Sequence, residues 1–207
     1  SKPQSMPRKQ TAMGRFKHEN CEVVVSKNGQ VVAYMGDDER GEHLYKFVSK
    51  GKYIKGAASN YDLLTEGDLF VAIFNENGTG RWVNLKESGM SDSDISIFTR
   101  MAATQVGATT MDRPEWVAAN PNKVEAYCAL TNNKNRGVKP NQPVNAVNPR
   151  VENPYGQIVR WTPDNNEHAA DGFKWDLFAM AGNPVVGEGL MKGSENITKD
   201  NMFNSPD

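Results

Sequence analysis

The sequence is poor in the residues on which several common chemistries depend. It has 2 cysteines and 3 histidines. No CxxC pair or HExxH run occurs, so cysteine-rich zinc sites and zincin-type proteolysis have no support. Cys21 and Cys128 do not establish a disulfide, and two buried free thiols on strands are expected. A Walker loop and a nucleophile elbow are also missing. Neither sign of charge is in excess: 24 Lys and Arg face 25 Asp and Glu, for a net charge of −1. That leaves no electrostatic footprint for nucleic acid or an anionic membrane surface, and neither is expected as a partner. No apolar run is long enough for a transmembrane helix, and no basic-then-apolar segment opens the chain as a signal peptide would.

What is present points to β structure. The chain has 18 glycines and 11 prolines with 38% hydrophobic residues, a folded, loop-rich composition. Residues 22–25 and 31–35 are β-branched runs joined by the Asn28-Gly29 turn signal, and 69–74 and 80–85 repeat the pattern around Asn77-Gly78. Residues 43–48 alternate and read as a further strand. Ser91, followed by Asp92 and Asp94, predicts the start of one short helix, with Ile95, Phe98, Met101 and Ala102 at helical spacing on the sheet edge. Strands follow at 117–119, 124–130, 157–161 and 173–180. Residues 134–153 read as a long loop and 182–207 as irregular.

A degenerate repeat lies within this order. Glu19, a strand, a turn and Val31-Val32-Ala33-Tyr34 lead to Gly36-Asp37-Asp38. Glu115, a strand, a turn and Val124-Glu125-Ala126-Tyr127 lead to Thr131-Asn132-Asn133. Ser205-Pro206-Asp207 echoes Arg113-Pro114-Glu115. A period of roughly 95 residues with four antiparallel strands per unit predicts propeller blades carrying large insertions. The expected fold is therefore all-β, a partial β-propeller of about two four-stranded blades. The first covers 15–110 and the second 111–203, with 204–207 beginning a third. Two blades leave unpaired edges, through which chains would self-associate. Trp116, Trp161 and Trp175 read as packing between blades.

In such a fold, loops entering the innermost strands converge, so Glu19, Glu115 and Asp207 are expected to meet near the axis. Clustered carboxylates repel, and a polyvalent cation removes the penalty; oxygen-only ligands select hard ions such as calcium or ferric iron. Arg113 offers a planar fork for a phosphate or carboxylate, and Pro114 is expected to hold it extended, apart from Glu115. The acidic run Asp37-Asp38-Glu39 reads as a solvated turn, with Asp38 its best candidate ligand. His18 reads as a hydrogen-bonded strand-entrance residue.

Six segments, GRFKHE (14–19), YMGDDERGEHLYKFVS (34–49), MDRPEWVAANP (111–121), LTNN (130–133), NPYGQIVRW (153–161) and WDLFAMAGNP (175–184), resemble the PhoX-type alkaline phosphatases. The resemblance implies a six-bladed propeller that hydrolyses small phosphomonoesters at a calcium and iron centre and is exported to the periplasm or beyond. It implies Glu19, Glu115, Asp207 and Asp38 as metal ligands and Arg113 as the phosphate contact. The family's iron centre also uses a cysteine in a Thr-Cys-Glu-Glu-Asn segment, which neither Cys21 nor Cys128 matches. The chain thus reads as an internal piece of a longer enzyme, with little activity alone. Two other functions fit the same residues: a calcium-stabilised propeller scaffold, and a calcium-dependent propeller esterase or lactonase.

Overall fold

The computed structural model describes residues 6–207. Nine antiparallel strands form one continuous, strongly curved sheet. The first five are β1 (Glu22–Val25), β2 (Gln30–Gly36), β3 (Leu44–Lys52), β4 (Gly67–Phe74) and β5 (Thr79–Asn84). The other four are β6 (Pro114–Ala119), β7 (Ala126–Leu130), β8 (Gln157–Pro163) and β9 (Gly172–Met180). Within each group, consecutive strands pair in simple meander order. The first group holds five strands rather than the four expected of each unit.

The two groups meet at both ends of the meanders. At the outer end β5 pairs with β9 through Thr79↔Lys174, Gly80↔Phe173 and Arg81↔Gly172. A Cβ at Gly80 would lie 2.2 Å from the Phe173 ring, so this join requires glycine. At the inner end the Asn20 side chain serves as a surrogate strand for β6. Its Nδ2 donates to the Val117 carbonyl at 2.8 Å, and its Oδ1 accepts from the Val117 N–H at 2.9 Å. Glu22 accepts from the Ala119 N–H at 3.0 Å. Between these joins lies a core of Val32, Tyr34, Leu44, Trp82, Val117, Cys128, Trp161 and Phe173. Trp82 and Trp161 sit edge to face at 6.1 Å, and Trp175 donates to Thr79 O across the groups at 2.9 Å. Trp116, expected to pack here, is exposed: the alternation of β6 buries Glu115 and Val117 and turns Trp116 outward.

A second core lies on the opposite face of β2 and β3, built from Ala33, Met35, Tyr45, Phe47, Val71 and Leu85. It is covered by two short helices, α1 (Asp92–Ile97) and α2 (Thr99–Gln105), where one was expected. Ser91 does cap the first, accepting from the Asp94 N–H at 3.1 Å. The break falls at Phe98, whose φ of −109° and ψ of 42° are not helical. Thr99 explains the turn: its hydroxyl donates back to the Ile95 carbonyl at 2.7 Å and accepts from the Arg15 N–H at 2.8 Å. The bend puts Ile95, Thr99, Ala102 and Ala103 inward and leaves Phe98 and Met101 exposed. Among the described residues no helix is long and apolar enough to cross a membrane.

Residues 134–153 contain no strand, yet they are not a solvated loop. Arg136, Gln142, Val147, Asn148, Arg150 and Asn153 are all buried. Cys128 is buried as expected, whereas Cys21 is exposed, in the turn before β1; both are free thiols.

Candidate metal and phosphate site

The site lies where the two groups of strands come closest at their inner ends. Gly36, the last residue of β2, fixes that approach. A Cβ there would stand 2.4 Å from the Glu115 carbonyl oxygen and 2.5 Å from that of Pro114. Only glycine lets the end of β2 lie against the start of β6. The Gly36 carbonyl also accepts from the Glu19 N–H at 3.4 Å, so one glycine sets the Glu19 and Glu115 backbones side by side. Ligand oxygens of Glu19, Glu115 and Asp207 lie within 4.8 Å of one another. Glu115 is buried, and the other two are exposed.

Two turns of the same design deliver Glu115 and Asp207. In Arg113-Pro114-Glu115 and Ser205-Pro206-Asp207 the residue before proline is left-handed, with φ of 50° for Arg113 and 47° for Ser205. The expectation that Pro114 keeps Arg113 extended is therefore overturned. A non-glycine residue in this region is strained, and such strain persists only where its surroundings over-determine it. The left-handed turn swings the Arg113 guanidinium back over its own strand, so its Nη2 lies 3.2 Å from Glu115 Oε1 rather than apart from it.

The structure places Asp38 on the arginine, outside the group of three acids. Arg113 Nε donates to Asp38 Oδ1 at 2.9 Å and Nη2 to Oδ2 at 3.1 Å. Among the described residues Nη1 carries no partner, and the pair is partly open to solvent. Asp37, expected in a solvated turn, is fully buried. Arg100 of α2 grips it bidentately at 2.8 and 2.7 Å, and the Lys17 N–H adds a third bond at 3.2 Å. The helix is thereby tied to the turn that displays Asp38. The Asp-Asp-Glu run gave no sign of this, because the partner lies 63 residues away. His18 bonds the Gly14 carbonyl and stacks on Phe16 at 3.7 Å.

The electrostatics are those of an acid cluster short of positive charge. Burial pushes the Glu115 carboxyl well above the usual carboxylate range; the Asp38 charge adds to this, Arg113 opposes it and Asp207 adds again. Burial also lifts the Cys128 thiol, with the Glu115 charge as a lesser cause. Burial acts to lower Arg113, yet its contacts with Asp38 and Glu115 hold it above its ordinary value, so the guanidinium remains charged. A carboxyl raised by burial and like charges, with two more oxygens in reach, fits a hard polyvalent cation, whose charge would relieve that repulsion.

A propeller-like sheet that converges three carboxylates and an arginine on one point defines a class of all-β protein built around an acidic centre. The profile of the family described as Alkaline phosphatase PhoX matches residues 1–207, and the chain belongs to that family. A solved structure described as Pseudomonas fluorescens PhoX in complex with vanadate, a transition state analogue, is 48% identical, with a TM-score of 0.94. The match covers 99% of this chain and 38% of that one, so the chain spans well under half the length of the relative. Among curated proteins no match is found.

Proposed function

We propose that this chain supplies part of the metal and phosphate site of an enzyme that hydrolyses small phosphomonoesters. The observation that carries the reading is the meeting of Glu19, Glu115 and Asp207 beside Arg113, in a chain 48% identical to a protein solved in complex with vanadate, a transition state analogue. Family membership favours this over the scaffold and lactonase readings. Glu19, Glu115 and Asp207 would hold calcium or ferric iron, both hard ions suited to carboxylate oxygen. When bound, such ions supply Lewis-acid stabilisation of charge on the phosphoryl oxygens.

The chain's own residues supply orientation. Arg113 is fixed on one edge by Asp38, which leaves Nη1 and the shared Nη2 as donors for a phosphoryl oxygen. Asp38 acts as a counter-anion that keeps the fork aimed before substrate arrives, which lowers the reorganisation needed in the transition state. Glu115 has two relations, one oxygen near the arginine and a carboxylate shared with the acid group, so it couples phosphate binding to the ion.

The test is hydrolysis of p-nitrophenyl phosphate by the full-length enzyme loaded with calcium and iron. Arg113→Ala is expected to lower kcat/KM by about 100-fold or more. Absence of phosphoester cleavage by the unsubstituted enzyme overturns the reading. These 207 residues alone are expected to show little turnover, because three carboxylates and one arginine do not fix nucleophile and leaving group together; brisk hydrolysis by them contradicts that part.

A further inference from the structure

The strained turn at Arg113 has an evident restraint. Asp112, immediately before it, is fully buried, and its carboxylate takes three donors. Arg136 Nε donates at 2.7 Å and Asn133 Nδ2 at 2.8 Å to Oδ1, while Asn153 Nδ2 donates at 3.0 Å to Oδ2. The Asp112 N–H is held by Asn148 Oδ1 at 2.8 Å. Arg136, also fully buried, donates through Nη1 to Thr110 Oγ1 and Pro143 O and through Nη2 to Thr110 O. On the far side the Arg113 carbonyl accepts from the Thr131 N–H at 3.3 Å, and Pro114 lies opposite Leu130 in the sheet.

The same network reaches the second turn. Asn153 Oδ1 accepts from the Gly156 N–H at 3.0 Å and the Tyr155 N–H at 3.3 Å. The Tyr155 carbonyl in turn accepts from the N–H of left-handed Ser205 at 2.6 Å. Asn132, next to Asn133, donates to Ser205 Oγ at 3.3 Å. One side chain, Asn153, thus stands between Asp112, which precedes Glu115 by three positions, and Ser205, which precedes Asp207 by two.

We propose that the buried cluster of Asp112, Arg136 and Asn153 is a positioning device. It holds both left-handed turns, so that Arg113 is aimed and Glu115 and Asp207 arrive at one point. This explains why a strandless segment of this length is kept, since such segments inside a compact domain are unusual without a role. A cluster serving stability alone needs no link to the backbone of both acid-bearing turns. The catalytic meaning rests on the proposed role of Arg113; the geometric claim does not.

The test reads geometry and needs no turnover. In the 15N-labelled chain, the Arg113 Nε–H resonance is assigned by its loss in Arg113→Lys. Its exchange with solvent, and that of the Ser205 amide, are then followed in Asp112→Asn, Asn153→Ala and Leu85→Ala. Asn153→Ala is expected to speed both exchanges by about tenfold or more, as charge-assisted and backbone bonds loosen. Asp112→Asn is expected to speed chiefly that of Arg113. Leu85→Ala, a cavity in the other core, is expected to leave both within about twofold. If Asp112→Asn does not fold, Arg136→Lys keeps the charge, loses the fork and gives the same reading. Unchanged exchange in the folded cluster variants, or equal acceleration in Leu85→Ala, overturns the proposal. An inactive full-length enzyme with these exchange effects intact would remove only the catalytic role.

Discussion

The buried charged groups of this protein include some whose charge is answered by an opposite charge and one, a lysine, whose charge is not. Asp37 and Asp112 are answered by arginines at hydrogen-bonding distance. The lysine is Lys46. Its ammonium has one polar partner, the Ala170 carbonyl at 2.7 Å, and stands about 5 Å from the Phe70 and Trp82 rings. Burial lowers its pKa to about 7, with the Asp171 and Glu167 charges opposing. The folded pKa is thus depressed below the unfolded one, and between them the unfolded chain binds the extra proton. Burying the charged amine is unfavourable below pH 7, and the penalty fades as pH rises towards the unfolded value. Lys46→Met is accordingly expected to stabilise the fold by on the order of a few kcal/mol near pH 6. The gain should shrink steadily by pH 9.5. Urea midpoints of both proteins across that range check it, and a difference independent of pH contradicts it.

Glu115 has the opposite sign. Its folded pKa is raised, so without a cation stability is expected to fall as pH climbs from the ordinary carboxylate range towards the raised value. Glu115→Gln should remove that fall, measurable as a flatter dependence of melting temperature on pH in chelator.

At the scale of elements, what was legible in the sequence is what local chemistry dictates. The Asn-Gly turns and β-branched runs predict β1, β2, β4 and β5 closely, and the Ser91 cap marks the start of α1. The repeat brings Glu19, Glu115 and Asp207 to one place before any coordinate is known, as three carboxylates at equivalent strand entrances. What was not legible depends on partners distant in sequence. Arg100 and Asp37 lie 63 residues apart, and the donors to Asp112 lie in an Asn- and Pro-rich stretch whose composition is that of an exposed loop. Nor does pattern reveal that Arg113 is left-handed, because the usual restriction before proline argues against it.

Two substitutions test how the elements are joined. Gly36→Ala is expected to push β6 away from β2, since the added carbon would meet main-chain oxygen at 2.4 Å. Loss of several kcal/mol of stability, and of cation binding in whatever remains folded, is predicted from the forced main-chain shift. Calorimetric melting and calcium titration of the same sample measure both. Asn20→Ala strips the Val117 N–H and carbonyl of their side-chain partners. It is expected to cost about 1–3 kcal/mol. The uncovered β6 edge should promote self-association, visible by sedimentation as a concentration-dependent shift.

At the scale of the whole molecule, the two strand groups act as arms closed at both ends. The β5–β9 join and the aromatic core around Trp82 and Trp161 hold the outer side, and Gly36 and Asn20 hold the inner side. The acidic group sits at the inner closure and draws carboxylates from both arms. Stability and site geometry would therefore be linked: a cation held between Glu19 on one arm and Glu115 on the other would clamp them together and would bind only the folded form. Calcium titration by isothermal calorimetry, in the 207-residue chain and in Glu115→Gln, tests this clamp most directly. One calcium site is expected in the unsubstituted chain, at the modest affinity of a three-carboxylate centre, and its loss is expected in Glu115→Gln. Equal binding by the two proteins, or no binding by either, would contradict the clamp.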